Sequence, residues 1–340
     1  MKFLVIGLGS MGKRRVRNLI ALGYKNHIAG FDPNNNRTEE AKQYGIEVYT
    51  DFEKAVQIHN PDIFIISTPP NLHMKYAYFA AHNNISCFIE ASVVDAEKIL
   101  GLSNMVKDKK IVMAPSCTMR YYPGPMKIKE LIENGMIGKV LNFNYHTGQY
   151  LPDWHPWEDI KDFYVSNPDT GGAREIVPFE LSWLNDIFGD SQALACVRRK
   201  LSDMDIEIDD IYHCLLQYPD NVLGNLTVEV ISRPQATREF RVLGSLGEIV
   251  FSADSKSVKY INNEMQEWST ISLLEGTIAN GYINPEEPYI NEIQDFITSI
   301  VLIKNGQLSI FPNRLEDDYK ILKTLYELED ISEGRHDLSR

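Results

Sequence analysis

The sequence is poor in three features that would each point to a particular class of protein. Cysteine occurs only at Cys87, Cys117, Cys196 and Cys214, without a C-x-x-C pair, so neither a metal site nor a disulfide framework is predicted. No run approaches the roughly 18 apolar residues of a membrane-spanning helix, which argues against a membrane partner. Basic side chains number 34 against 47 acidic ones, and the net charge of −13 would repel a nucleic acid. We expect a folded cytoplasmic protein.

The one dense basic run, Lys13-Arg14-Arg15-Val16-Arg17, follows a glycine-rich turn at the start of a predicted helix. It is short and isolated. We interpret it as a solvated helix face that lies near a phosphate site, because the N-terminus of a helix attracts anions.

A strand, a glycine turn and a helix open the chain. "KFLVIG" reads as a buried strand, and an amphipathic helix follows and ends at Gly23. Glycines between them allow a tight turn, the approach of a pyrophosphate to the backbone, and close packing of helix on strand. This turn predicts a dinucleotide site whose contacts are Gly7, Gly9, Ser10, Met11 and Gly12.

A second strand, "HIAGFD", ends in an acidic residue at the distance that the dinucleotide fingerprint requires. Asp32 lies 20 residues after Gly12, where its carboxylate can bind the adenosine ribose hydroxyls. Because a carboxylate repels a 2′-phosphate, NAD is the predicted cofactor. Arg37 and Arg14 keep NADP open as an alternative.

Strands and helical segments continue to alternate up to residue 120, which predicts a parallel, doubly wound Rossmann sheet in a domain of residues 1–120. Ligands of such sheets bind at the carboxyl ends of the strands. The predicted cofactor contacts at these ends are Thr68, Pro69, Asn71, His73, Glu90 and Ala91.

The segment after Val140 has a different pattern. Six stretches from "VLNFNYHTG" to "GEIVFS" read as successive strands, several with alternating polarity and with few helices between them. We therefore expect an α+β domain over residues 121–340, built on a large, open and mainly antiparallel sheet.

The order of these motifs resembles the Gfo/Idh/MocA oxidoreductases, which act mostly on sugars and cyclic polyols. The resemblance covers nearly the whole chain. It implies a Rossmann domain followed by a sheet domain, one face of which usually packs on a partner subunit, so a homodimer or homotetramer through that sheet is expected. It rests on "VIGLGSMG", "STPPNLH", "CFIEAS", "MRYYPGPMKIKELIENGMIGKV", "GGAREIVPFELSWLNDIFG" and "REFRVLGSLGEIVF".

Two departures from the family pattern concern groups that handle protons. In the family the fifth strand commonly ends Glu-Lys-Pro, with the lysine near the reacting hydroxyl; here the lysine position is Ala91. A glycine-led helix that faces the nicotinamide normally supplies an aspartate and a histidine. The corresponding positions here hold Glu175 and Glu180, although the spacing does not match cleanly.

Removal of a hydroxyl proton needs a replacement group with a pKa near the working pH. His155, in the aromatic loop "GQYLPDWHPWEDIKDFY", and Glu180 are the predicted catalytic residues. The same loop could instead be an arm at a subunit interface, and Glu180 a helix-surface carboxylate. The predicted substrate contacts are Arg120, Tyr122, Trp154 and Glu175; for Arg120, a structural salt bridge is an equal alternative.

We therefore expect an NAD-dependent oxidoreductase that transfers hydride between a sugar or nucleotide-sugar and nicotinamide, with a non-standard acid or base in place of the lysine. Two alternatives stay open. One is an enzyme that recycles bound NAD during elimination or epimerisation of a sugar. The other is a protein that binds NAD or sugar without catalysis.

Overall fold

The structure is a computed structural model whose contacts divide the chain into two compact units. The first comprises Met1–Tyr121 and Gly276–Tyr319, and the second comprises Tyr122–Glu275 and Lys320–Arg340. The residues described are 1–154, 159–162, 164–274, 276–282 and 284–335.

This division differs from the expected boundary at residue 120 in one respect, because the chain returns to the first unit after residue 275. The reason is hydrophobic burial. Phe296 and Phe311 from the returning segment belong to the same buried core as Phe3 and Phe88 near the start of the chain. These segments are far apart in the sequence, so no local pattern predicts that they pack together.

The first unit contains a six-stranded parallel sheet in the order β3-β2-β1-β4-β5-β6. The central strands carry four buried residues each, as expected for a sheet covered on both faces. The strands are β1 (Phe3–Ile6), β2 (Ile28–Phe31), β3 (Glu47–Tyr49), β4 (Ile63–Ile66), β5 (Ser86–Ile89) and β6 (Met113–Pro115).

Helices connect these strands as the alternating pattern predicts. A further helix from the returning segment packs against α1. The helices of the first unit are α1 (Ser10–Ala21), α2 (Asn35–Ala41), α3 (Phe52–His59), α4 (His73–His82), α5 (Ala96–Val106) and α8 (Glu287–Lys304).

The turn between β1 and α1 is fixed by close approach of backbones. Gly7 has a φ of +90°, and a Cβ there would lie 2.5 Å from the carbonyl oxygen of Ser67. A Cβ on Gly12 would lie 1.8 Å from the carbonyl oxygen of Gly7. Glycine is therefore required at both positions for steric reasons.

The second unit contains an eight-stranded sheet in the order β14-β13-β12-β11-β7-β10-β9-β8, in which only the β7–β10 pair is parallel. Its strands are β7 (Val140–Gly148), β8 (Gln192–Arg199), β9 (Ile211–Tyr218), β10 (Val222–Glu229), β11 (Thr237–Gly244), β12 (Gly247–Ser252), β13 (Ser257–Asn262) and β14 (Ser269–Ser272).

Alternation along these strands separates two faces of the sheet. On one face Phe143, Tyr145 and Phe240 are buried and pack with Trp183 from a helix. On the opposite face, residues such as Asn144 are exposed. The helices are α6 (Pro123–Glu133), α7 (Ala173–Phe188) and α9 (Leu315–Ser332), the last of which begins in the first unit.

The two sheets confirm the predicted fold class, a doubly wound Rossmann domain and a mainly antiparallel α+β domain. In the described part of the chain, no helix combines the length and the hydropathy that crossing a membrane would require.

We predict that Gly12→Ala destabilises the first unit, since its Cβ would overlap the Gly7 carbonyl. The expected cost is at least about 2 kcal/mol, or a fall of roughly 4–8 °C in melting temperature. Gly9→Ala is the control, because the nearest atom to its Cβ would be 3.9 Å away. Equal melting temperatures for the two variants, measured by calorimetry without ligand, would contradict the prediction.

Candidate functional site

The N-terminus of α1 is open for an anion. Gly9 is its N-cap residue, no side chain in the described part of the chain caps the helix, and the first turn contains no acidic residue. The backbone N–H groups of this turn are therefore free of a competing carboxylate. The space beside Gly9 is open, because a Cβ added there would have the Arg37 Nη1 atom as its nearest neighbour, at 3.9 Å. These features fit the pyrophosphate of a dinucleotide.

Asp32 follows β2 and is 2% exposed. One carboxylate oxygen accepts the Leu8 N–H and the other accepts the Asn34 N–H, both at 2.8 Å. The side chain thus holds the glycine turn in place, and its remaining lone pairs are what it could offer to ribose hydroxyls. Arg37, whose side chain is 41% exposed, has its Nη1 atom 3.8 Å from the carboxylate oxygen that accepts the Leu8 N–H.

The ends of β4 and β5 meet beside this turn. Ser67 follows β4, and its hydroxyl lies 3.3 Å from the Glu90 carboxylate at the end of β5. His73 is 2% exposed, and its Nε2 lies 2.8 Å from the Thr68 carbonyl oxygen. Burial lowers the pKa of His73. Among the described residues neither His73 Nδ1 nor Thr68 Oγ1 has a hydrogen-bond partner, so both can serve a ligand.

Glu90 is held by an arginine. Arg15 is fully buried and binds both Glu90 oxygens, at 2.6 and 3.0 Å. Its Nη2 atom also lies 3.0 Å from Glu292 of α8. Glu292 accepts three further hydrogen bonds, from the hydroxyls of Ser116 and Thr118 and from the backbone N–H of Cys117. Glu90 is therefore tied to the structure through Arg15 rather than left free to act.

The basic run is not a solvated face, and that prediction is wrong. Arg14 is 3% exposed and Arg15 is fully buried. Each cation of the run has a carboxylate partner: Lys13 binds Glu40 at 2.6 Å, and both Arg14 and Arg17 bind Glu286. Charge neutralisation within the unit, rather than attraction of phosphate, accounts for these side chains.

The other predicted cofactor contacts lie at the same edge of the first unit. Ser10 and Met11 form the first turn of α1 and are half-buried. Pro69 and Ala91 are half-buried, and Asn71 is exposed in a short 3₁₀ turn before α4. The structure thus brings the predicted set together around the ends of β1, β4 and β5.

Arg120 does not present a free guanidinium for an anionic substrate. It donates to the Pro312 carbonyl at 2.6 Å and to the Asn313 side chain at 3.2 Å. Both partners belong to the first unit. These hydrogen bonds favour a structural role for Arg120, and its contact with substrate stays a prediction.

Glu180 is not positioned as a catalytic base, which corrects that prediction. It is fully buried in α7. One oxygen accepts from the Tyr145 hydroxyl and the Trp183 indole N–H, each at 2.7 Å. Arg238 binds both oxygens, at 2.9 and 3.2 Å. These donors occupy both oxygens of the Glu180 carboxylate.

Glu175, in the first turn of the same helix, has a different environment. Burial raises its pKa to about 7, while a hydrogen bond from the Tyr164 hydroxyl acts in the opposite direction. That hydroxyl donates to Oε1 at 2.6 Å. The other oxygen, Oε2, is buried without a hydrogen-bond partner among the described residues. Glu175 is therefore poised to exchange a proton near neutral pH.

Three predicted residues of the second unit remain to be described. Tyr122 is the half-buried N-cap residue of α6. Its electrostatic interaction with Arg238 is one of the effects that raise the pKa of that guanidinium. Trp154 is half-buried, and its indole N–H has no partner among the described residues. His155 lies outside the described residues.

Sequence reasoning missed Tyr164 and Arg238, the two side chains that distinguish Glu175 from Glu180. Tyr164 stands 11 residues before Glu175, and Arg238 lies 58 residues after Glu180 on a strand. No local spacing links either pair. Only the unusual arginine on the buried face of a strand could have signalled a buried carboxylate.

Comparisons with known proteins agree with this architecture. A family model described as the oxidoreductase family NAD-binding Rossmann fold matches residues 1–114. A second model, described as the GFO/IDH/MocA C-terminal domain, matches residues 126–250. Together they match most of the chain.

A levoglucosan dehydrogenase of Pseudarthrobacter phenanthrenivorans is 34% identical over 249 residues, which cover 64% of this chain and 62% of the relative. A 2,7-anhydro-N-acetylneuraminate hydratase of Mediterraneibacter gnavus is 24% identical over 143 residues, 41% of this chain and 37% of the relative. The alignments thus span less than two thirds of either relative's length.

The fold is shared with a solved levoglucosan dehydrogenase in complex with NADH and levoglucosan. The TM-score is 0.82 at 18% identity, over 99% of this chain and 98% of that chain. Since both sheets have their counterparts in one family, the chain belongs to the Gfo/Idh/MocA oxidoreductases, and residues 1–114 form their NAD-binding Rossmann domain.

Proposed function

We propose that the protein is a cytoplasmic NAD-dependent oxidoreductase that acts on a sugar or nucleotide-sugar. Family membership and the likeness to a levoglucosan dehydrogenase support the substrate class. The open α1 N-terminus, Asp32 and the unpartnered atoms of Thr68 and His73 would hold the cofactor. Nicotinamide, when bound, supplies the hydride acceptor.

Removal of the substrate hydroxyl proton is assigned to Glu175, which the sequence predicts only as a substrate contact. Its raised pKa, near 7, and its unpartnered Oε2 are the observations that carry this assignment. Tyr164 fixes the carboxyl by holding Oε1, so the free oxygen keeps a defined direction. This role would compensate for Ala91 at the position where the family pattern has lysine.

A second candidate function uses the same residues without net oxidation. One relative is named a hydratase, and a carboxyl group that titrates near neutral pH suits proton transfer in elimination or addition. The two candidates differ in one observable. Net oxidation accumulates NADH, whereas a recycled cofactor gives product without a lasting change in nicotinamide absorbance.

We also propose that the open face of the eight-stranded sheet binds a second copy of the chain. Val197, Leu215, Leu223 and Leu243 on this face remain 40–52% exposed. Leu223 and Leu243 flank Asn142 in one row across three adjacent strands. A twofold axis would place this row of one copy against the same row of the other.

Glu175→Gln is predicted to reduce turnover by at least about 100-fold, because the amide cannot accept the proton. NADH affinity, measured by energy transfer from tryptophan, should stay unchanged. Glu207→Gln, an exposed carboxylate whose side chain is 93% accessible, is the matched control. Retained turnover in Glu175→Gln would remove the assignment.

The pH profile provides an independent test. In the direction of alcohol oxidation the charged carboxylate is the active form, so kcat/KM should rise with pH through about 7. Tyr164→Phe removes a hydrogen bond that favours the charged form. The midpoint should therefore move to higher pH in Tyr164→Phe, and a shift to lower pH or no shift would count against the pairing.

Arg37→Ala should change cofactor choice. The guanidinium is the exposed cation beside Asp32, so its loss should weaken NADPH binding by roughly tenfold or more while NADH binding changes little. Fluorescence titration with each nucleotide measures this ratio, with the exposed Lys110→Ala as control. Equal losses for NADH and NADPH would show that Arg37 does not discriminate between them.

The double substitution Leu223→Glu and Leu243→Glu is predicted to lower the oligomer mass to that of a monomer, because it places repelling charges in the contact row. Light scattering after gel filtration gives the mass. Leu308→Glu, at a side chain that is 87% exposed in the first unit, should have no effect. A monomeric unsubstituted protein would contradict the proposed surface.

A further inference from the structure

The segment before α8 forms a loop closed at its base. The Thr277 N–H donates to both oxygens of Glu287 at 2.8 Å, and Ile278 pairs with Pro285 in an isolated antiparallel bridge. A second backbone bond joins the Glu286 N–H to the Thr277 carbonyl at 2.9 Å. The base is thus held by four contacts, and Tyr282 lies in the tip of the loop, between Ile278 and Pro285.

The tip carries Tyr282 onto the start of α1. Its hydroxyl donates to the carbonyl of Ser10, the first residue of the helix, at 2.8 Å. Its ring lies against two guanidinium groups, 4.6 Å from that of Arg14 and 4.1 Å from that of Arg17. Stacked cations favour a fixed ring orientation.

At the base of the loop, Glu286 contacts the same helix one to two turns further along. Glu286 is 8% exposed and accepts from Arg17 at 2.8 Å and from Asn18 at 2.9 Å. The loop is therefore fastened to α1 at two levels, by charge at its base and by Tyr282 at its tip.

The tip contact matters because it acts on the first turn of α1 itself, whereas the Asp32 hydrogen bond holds the glycine turn before it. Among the described residues no side chain caps α1, and Gly9 leaves its surroundings open. The orientation of the N–H groups in the first turn therefore depends on the close packing of Gly12 against Gly7 and on how the Ser10 peptide is held. The only described side-chain bond to that carbonyl comes from Tyr282.

We propose that Tyr282 is a positioning residue for the cofactor, which aligns the first turn of α1 for the pyrophosphate without belonging to the glycine motif. This inference rests on the proposed use of NAD. It also assigns a role to Arg14 and Arg17, which orient the Tyr282 ring rather than bind phosphate themselves.

The test compares Tyr282→Phe with Tyr78→Phe. Tyr78 is a matched control in the same unit, since its hydroxyl donates to the Lys98 carbonyl at 2.9 Å between α4 and α5. Each substitution removes one hydroxyl and one hydrogen bond to a backbone carbonyl. NADH titration by energy transfer, steady-state kinetics and melting temperature are measured for both variants.

Tyr282→Phe is expected to raise the Kd for NADH by roughly fivefold, the usual effect of one such hydrogen bond. It should raise KM for NAD with little change in kcat, while Tyr78→Phe stays within about twofold of the unsubstituted protein. Melting temperatures should fall similarly in both variants. A purely structural contact would lower the melting temperature without the selective rise in Kd.

Equal NADH affinities for Tyr282→Phe and Tyr78→Phe would overturn the inference. Failure of the unsubstituted protein to bind NADH would instead overturn the proposed function, so the two failures are distinguishable. Tyr282→Ala, which also removes the stacked ring, should weaken NADH binding further than Tyr282→Phe; an affinity as high as that of the unsubstituted protein would again contradict the positioning role.

Discussion

The Arg15 guanidinium has no access to solvent and stands between two carboxylates, Glu90 at the end of β5 and Glu292 in α8. A buried cation of this kind is costly unless every partner is present, and loss of one partner typically costs about 3–5 kcal/mol. The arrangement therefore fixes α1, the end of β5 and α8 relative to one another. Burial raises the pKa of Glu292, whereas the Arg15 guanidinium acts in the opposite direction.

This constraint gives Glu90 a structural role at the end of β5. Glu90 is committed to Arg15 through two hydrogen bonds, and Ser67 shares one of its oxygens. The same arrangement recurs in the second unit, where Arg238, Tyr145 and Trp183 donate hydrogen bonds to Glu180. In both units a carboxylate predicted to lie at the site is bound by an arginine.

The sequence predicted what depends on local pattern. Buried runs, strand alternation and the glycine turn follow from neighbouring residues, so the two sheets and the set around Gly7, Gly9 and Gly12 could be anticipated. The prediction failed where a partner is distant in sequence. Arg14 and Arg15 looked solvated because Glu286 and Glu292 lie more than 270 residues away, and residues 276–319 looked like part of the second domain because their burial against β1 and β5 leaves no local trace.

Glu175 and Glu180 show how little separates a structural carboxylate from a candidate catalytic one. They lie five residues apart on α7 and are chemically identical. Glu180 has four hydrogen-bond contacts, including a guanidinium, whereas Glu175 has one phenol on Oε1 and an unpartnered Oε2. Burial raises the pKa of Glu175 to about 7, against the effect of the hydrogen bond from Tyr164. Because proton transfer needs a group that can hold both protonation states near neutral pH, this raised pKa and the unpartnered Oε2 are the features that support Glu175 as the proposed base.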